Sequence, residues 1–216
     1  MSMGKDDREQ ADGYDEVASA TGWQGPSIVF DLLSRHIRPG QTVLDIGIGT
    51  GLGSELFFKA GLHIIGVDLS DRMLDACRKK EFTDRLVRHD LTEFPYPFGD
   101  GSIDYAISTG VFQFFSDLDG VFREVFRILP DGGWFAFVTA DRSPEEPAEI
   151  IAGPEQTGTG ESVTMYCHTQ EQVNSWLVKN GFRLMGSVEF TVWMDERRTK
   201  KFPARAFLAQ KVDKGD

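Results

Sequence analysis

The sequence predicts an α/β fold built on a mainly parallel sheet, and three observations carry that expectation. Short apolar runs alternate with helical apolar periodicities at least four times, the pattern of strand–helix–strand units with right-handed crossovers. A glycine-dense turn, with glycines at 47, 49 and 51, follows the first of these runs. The last two strand-like runs, 182–192 and 204–212, have no helix between them, which implies an antiparallel pair at one end of the sheet.

The elements follow in order. Residues 1–13 are polar and read as a frayed terminus. Ile28, Val29, Leu32, Leu33 and Ile37 recur at helical spacing, and Pro39-Gly40 ends that helix. Residues 42–46 are the first strand, 55–60 a helix closed by Gly61, and 63–67 the second strand. A helix over 71–80 takes Ser70 or Asp71 as its N-cap. Leu86-Val87 form a short third strand, and 92–102, with two prolines and two glycines, a loop. Residues 103–108 are the fourth strand, 118–129 a helix stopped by Pro130-Asp131-Gly132-Gly133, and 134–139 the fifth strand. Residues 141–165, rich in proline and glycine, read as an irregular lid or a surface loop. A helix over 169–180 then ends at Gly181.

Composition removes several classes. The chain has 216 residues, 26% of them charged, and about half are apolar once glycine is counted, so it is neither disordered, collagen-like nor a coiled coil. Lys plus Arg is 23 and Asp plus Glu is 34, giving 23 − 34 = −11, a charge that repels nucleic-acid phosphates and anionic lipid. The basic cluster Arg197-Arg198-Thr199-Lys200-Lys201 reads as a solvated turn or strand end. Two distant cysteines, Cys77 and Cys167, make no disulfide framework and no thiolate zinc site, and no other metal-ligand spacing is visible. With no signal-peptide core and no run of 18 apolar residues, the expectation is a cytoplasmic protein without a membrane span.

Ligands of open α/β sheets sit beyond the carboxyl ends of the strands, so the residues just after each strand carry the functional reading. Gly47, Gly49 and Gly51 are spaced G-x-G-x-G, whereas the nicotinamide and flavin fingerprint would put its third glycine at position 52, which is leucine. Glycines here permit positive φ and close backbone approach, and the following helix offers unpaired N–H groups. Asp68 ends the second strand, where a carboxylate accepts from a ribose diol or caps the next helix. Asp90 after the third strand suits an adenine amino group or leads a turn. Leu69 and Met73 suit the purine faces or the core. Asp45, two residues before the glycine turn, would crowd a pyrophosphate but suits an ammonium. Together these features suggest S-adenosylmethionine, which has an amino-acid end, a ribose and an adenine but no pyrophosphate.

The segments around these residues carry a family resemblance. Val43-Leu44-Asp45-Ile46-Gly47-Ile48-Gly49-Thr50-Gly51 resembles the first motif of class I S-adenosylmethionine-dependent methyltransferases, and Gly66-Val67-Asp68-Leu69-Ser70 the second. Arg88-His89-Asp90-Leu91 is similar to the adenine-contacting segment, and 104–108 to the fourth-strand motif. Residues 123–133 are similar to the helix, turn and fifth-strand entry of the small-molecule, type 11 subgroup. The resemblance implies a Rossmann-like three-layer sandwich with a seven-stranded, mostly parallel sheet of order 3-2-1-4-5-7-6, strand 7 antiparallel. It implies a single domain over 1–216: a helical cap (1–38), a cofactor-binding core (40–140), a lid-like insertion (141–168), and a C-terminal helix with antiparallel strands (169–216). By position, Asp45 and Gly47 would hold the methionine end and Asp68 the ribose, with Gly49 and Gly51 also cofactor-binding. Asp90 and the Leu91 backbone would hold adenine, and Ser108 would lie near the sulfonium. Tyr14 sits where related chains fold an N-terminal segment over the cofactor.

The cofactor supplies an activated methyl group, so a general base is needed only if the acceptor must lose a proton. Thr109, Phe112, Gln113 and Tyr166 are candidate acceptor-pocket residues, with Phe114 and Phe115 either walls or core. The sequence lacks the Asn/Asp-Pro-Pro-aromatic tetrad of amine methylation on bases and glutamine. It also lacks the His-His step of quinone and sterol-type relatives. His168 is the remaining candidate base, against a capping or surface role. The resulting expectation is a methyltransferase for a small-molecule acceptor, monomeric or homodimeric, that releases S-adenosylhomocysteine. A non-catalytic cofactor-binding scaffold and a protein-directed methyltransferase are the alternatives.

Overall fold

The computed structural model describes residues 7–153, 162–195 and 197–212. Its elements run α1 (Asp7–Thr21), α2 (Gly25–Leu33), β1 (Thr42–Ile46), α3 (Glu55–Lys59), β2 (His63–Asp68), α4 (Asp71–Arg78), β3 (Arg85–Arg88) and β4 (Tyr105–Ser108). A 3-10 turn (Phe112–Phe114) follows, then α5 (Asp119–Ile128), β5 (Trp134–Asp141), β6 (Glu149–Ala152), β7 (Val163–His168), α6 (Gln170–Lys179), β8 (Phe182–Trp193) and β9 (Lys201–Lys211).

The main sheet runs β3-β2-β1-β4-β5-β9-β8. All strands are parallel except β9, which is antiparallel to both β5 and β8. With β8 and β9 as the sixth and seventh strands, this is the expected order 3-2-1-4-5-7-6. Both faces are covered, so the inner strands are almost wholly apolar. Along β5, Phe135 and Phe137 enter one core with Phe122 and Val125 of α5 and Leu177 of α6. Ala136 and Val138 enter the other, with Val29 and Leu33 of α2, Phe57 and Leu74. Helix α5 reaches its core through Val121, Phe122, Val125 and Ile128, a single stripe at helical spacing. Helix starts follow the sequence: Ser70 Oγ accepts from Met73 N–H, and Thr169 Oγ1 from Gln172 N–H.

Two expectations change. Residues 7–13 belong to α1 and are not a frayed end; the polar composition hid a helix held by contacts made farther along it. The 141–168 segment is not irregular throughout: β6 and β7 form an antiparallel hairpin, which brings the strand count among the described residues to nine. Its proline and glycine content masked two short strands, Glu149–Ala152 and Val163–His168. The intervening 154–161 lie outside the described residues. Ala140 pairs with Ala204 of β9 and with Cys167 of β7. A strand has two edges, so β7 takes the edge of β5 that β4 leaves after Ser108, and the hairpin stands over the carboxyl end of β4.

Candidate functional site

The glycine turn leaves β1 with Gly47, Gly49 and Gly51 at φ of 73°, 54° and 89°, all in the left-handed region where a side chain is strained. A Cβ on Gly47 would stand 2.7 Å from the Val111 side chain, whereas one on Gly49 would meet nothing within 4 Å. Gly49 therefore opens the backbone onto free space. Gly53, which fits no spacing rule, is needed for clearance: a Cβ there would lie 2.7 Å from Thr109 Oγ1 and 3.0 Å from Asp45 Oδ2. Sequence reasoning missed it because the neighbours it clears are far away or on another strand. The helix after the turn, α3, has only five residues. The expected contribution of its N-terminus is correspondingly small.

Asp45 is 1% exposed. Its Oδ2 accepts from Ser54 Oγ at 2.7 Å, and its Oδ1 has no hydrogen-bond partner among the described residues. Burial raises its pKa to about 7, with the Ser54 hydrogen bond opposing the rise and the charge of Asp68 adding to it. Asp68 is held from both sides: Gly49 N–H donates to Oδ2 at 2.8 Å and Ser70 N–H to Oδ1 at 2.9 Å. The Leu69 backbone adds a third bond, and the carboxylate's four acceptor positions still leave capacity beyond these. Burial pushes the Asp68 pKa up against those bonds. Ser70, not Asp68, caps α4.

Beyond Asp68, Leu69 is exposed and Met73 half-buried, so neither is core. Asp90 Oδ1 accepts from Thr92 N–H and Thr92 Oγ1, the turn-leading alternative, and those bonds hold its carboxyl below the ordinary value. The Leu91 side chain is buried in the core, and its carbonyl accepts from the Tyr96 hydroxyl at 3.1 Å. Ser108 is fully buried and donates to the Ile46 carbonyl at 2.8 Å, fastening β4 to β1.

The N-terminal cap reaches this site. Asp15 accepts from Thr50 Oγ1 of the glycine turn at 2.6 Å and from Lys80 Nζ just past α4. The Tyr14 hydroxyl lies 3.8 Å from where a Gly110 Cβ would stand, so it faces the backbone that follows β4. Burial of that hydroxyl end raises its pKa, and the charges of Asp15, Asp68 and Asp45 raise it further. The links of Asp15 to Thr50 and Lys80 span 35 and 65 residues and left no local signal.

The acceptor-side residues divide. Thr109 is buried beside Gly53. Gln113 Nε2 donates to the Gly110 carbonyl at 2.7 Å, closing the turn after β4. Phe112 is fully buried against Phe122, Phe135 and Phe137, so its ring is core packing and not an open wall. Phe114 is the exposed ring of that turn, at 49%. Tyr166 is half-buried on β7, paired with Glu149. His168 is 2% exposed, with Nε2 3.0 Å from the Phe115 carbonyl and its ring edge-on to Trp176. Burial lowers its pKa, so it is a neutral donor clamping the hairpin to the 112–115 turn. That role leaves it poorly placed as a base.

These residues suit the expected cofactor. The orphaned, buried Asp45 oxygen matches an ammonium, Asp68 keeps acceptor capacity for a diol, and Leu69 and Met73 offer apolar surface to a purine. Among the described residues no group of three or more His, Cys, Asp and Glu could hold a metal ion, and no helix is long and apolar enough to cross a membrane.

Comparison with known proteins agrees with this geometry. Residues 44–137 match the family model described as "Methyltransferase domain". The chain is 37% identical to phosphoethanolamine N-methyltransferase 2 of Caenorhabditis elegans over 100 residues, 44% of this chain and 23% of that protein. It is 33% identical over 129 residues to malonyl-[acyl-carrier protein] O-methyltransferase of Serratia marcescens, 60% of this chain and 49% of that one. The chain thus matches half or less of the length of these two relatives. Among solved structures, the complex between the Haloferax volcanii Trm112 methyltransferase activator and the putative methyltransferase gives a match with a TM-score of 0.72 at 18% identity. That match covers 97% of this chain and 99% of the other, and shows a shared fold. With the motif residues in place around the orphaned Asp45 oxygen, residues 44–137 of this chain are similar to the methyltransferase domain.

Proposed function

We propose that this chain transfers a methyl group to a small-molecule acceptor, acting as a monomer or homodimer in the cytoplasm. The observation that carries the reading is the site itself: Asp45, Asp68 and the three left-handed glycines are all in place. A chain that no longer binds the cofactor would be free to lose them. When bound, the cofactor supplies a methyl group on a sulfonium, already activated for in-line displacement. The protein's own part is to bind, orient and exclude water. Asp45 and Asp68 would hold the cofactor's charged and hydroxylated ends. Leu69 and Met73 would flank its base. The Asp15–Thr50 contact keeps Tyr14 facing Gly110 across the mouth of the site. The hairpin, clamped by His168, walls the region after β4. No side chain here is assigned as a general base, which matches a displacement in which the acceptor arrives already nucleophilic.

The small-molecule reading is supported by the walls that α1 and the β6–β7 hairpin raise on either side of the β4 end, which narrow the approach for a folded polypeptide. The test is methyl transfer from radiolabelled S-adenosylmethionine to a panel of small carboxylates, amines and phenols and, separately, to a mixed protein fraction. Label in a low-mass product, lost in Asp68→Ala, supports the proposal. Label confined to protein overturns it.

A further inference from the structure

The turn between β8 and β9 is the one strongly basic segment singled out in the sequence, and the site above does not use it. Because β9 runs antiparallel to β5, with Ala204 beside Ala140, this turn projects from the same end of the sheet as the glycine turn. Its shape is fixed by Asp195, which accepts from Thr199 N–H, Thr199 Oγ1 and Lys200 N–H, each at 2.8 Å. The turn reaches the N-terminal cap: Arg198 lies 3.1 Å from where a Cβ on Gly22, between α1 and α2, would stand. Across from the turn is β6 of the hairpin, and between them lies a cleft of about 400 Å³, a size ordinary for a small-molecule site. Ile150 and Ile151 line one side, and Met194, Lys200, Lys201 and Phe202 the other. Ile151 is 74% exposed, an open apolar wall. In a chain of net charge −11, residues 194–201 hold four cations (Arg197, Arg198, Lys200, Lys201) against two acids (Asp195, Glu196), a local balance of 4 − 2 = +2. An anion repelled elsewhere on this surface is drawn here. The cleft also adjoins the transfer region, because its β6 wall pairs with β7 and β7 is clamped by His168 to the turn after β4.

We propose that this cleft holds the far end of the methyl acceptor, and that the acceptor is an anionic amphiphile. Its carboxylate or phosphate lies against Lys201 and Lys200, and its apolar body against Ile151, Met194 and Phe202. Contacts remote from the reacting atom orient the acceptor and contribute binding energy to the transition state. The inference rests on the methyltransferase reading and names the acceptor class for it.

The test is calorimetric titration of the chain saturated with S-adenosylhomocysteine, using decanoate and decyl phosphate against decanol and decyltrimethylammonium, all below micelle formation. The expected result is one-to-one binding of the two anions and none of the other two. Lys201→Glu, the double variant K200S/K201S and Ile151→Asp should each weaken the anions at least fivefold while leaving S-adenosylhomocysteine affinity unchanged, which also shows that the variants fold. Decanol binding as tightly as decanoate overturns the proposal, as does anion affinity indifferent to the lysines. Binding only to phosphatidylglycerol vesicles, and not to the monomeric anions, overturns it in favour of a lipid surface. A chain that takes up decanoate but not S-adenosylhomocysteine has an anion cleft yet no methyl donor, which separates failure of the methyltransferase reading from failure of the cleft.

Discussion

Asp45 has one oxygen on Ser54, the other without a partner among the described residues, and almost no solvent, so ionising it is costly. Its carboxyl titrates near 3.8 in the unfolded chain and near 7 in the folded one. Between those values the folded chain holds the extra proton, so this group's stabilising contribution is present below pH 4 and lost as pH rises to 7. Asp45→Asn removes that slope and should stabilise the free protein at pH 8 by at most about 4 kcal/mol, the size implied by such a shift. Thermal unfolding at pH 5 and pH 8 reads it: the wild type loses more melting temperature between the two than the variant does. The same substitution should weaken S-adenosylhomocysteine, because the ammonium loses its counter-charge. Asp68→Ala strands the Gly49 and Ser70 N–H groups and removes the diol acceptor, a loss of about 1–3 kcal/mol in cofactor binding. Both acids were legible in the sequence because each stands at a fixed step from a strand end. Phe112 and His168 were not. Whether a ring after β4 faces the core or the pocket depends on a 3-10 turn that no apolar period announces, and His168 is spent on a carbonyl 53 residues away.

Helix α1 and the β6–β7 hairpin are the elements that flank the proposed site, and both were read imperfectly. Their sequences are polar or rich in proline and glycine, and what orders them is distant contact: Asp15 on Thr50 and Lys80, and β7 on β5. The buried elements between β1 and β5 were legible because they carry clean apolar periods with caps such as Ser70 and Gly61. If the Asp15–Thr50 contact holds α1 over the site, Thr50→Val should speed S-adenosylhomocysteine release several-fold in stopped-flow measurements while moving the melting temperature little. An unchanged release rate would mean that α1 stays closed without it. For the hairpin, His168→Leu strands the Phe115 carbonyl and should cost about 1–3 kcal/mol of stability. If His168 is a clamp, the variant keeps the midpoint of the wild-type pH–rate profile. A lost or shifted limb would restore it as a base.

At the level of the whole molecule, the strand order and the position of the site at the carboxyl end of the sheet follow from the alternation of strands and helices and the right-handed crossover rule. Nine strands among the described residues, in place of seven, did not follow, because the extra hairpin is an insertion whose pairing is set by the edge of β5 left free beyond β4. The acidic surface, with net charge −11, surrounds a site that is itself lined by Asp45, Asp68 and Asp15. That site suits a cationic, ribose-bearing cofactor that pairs with ionised Asp45. The most direct measurement is calorimetric titration of the whole chain with S-adenosylhomocysteine at pH 6, 7 and 8. With the Asp45 carboxyl titrating near 7, binding should be one-to-one and tighten about tenfold from pH 6 to pH 8, as the ionised fraction rises from about a tenth to about nine-tenths. Absence of binding at all three pH values, or an affinity that does not change with pH, would contradict it.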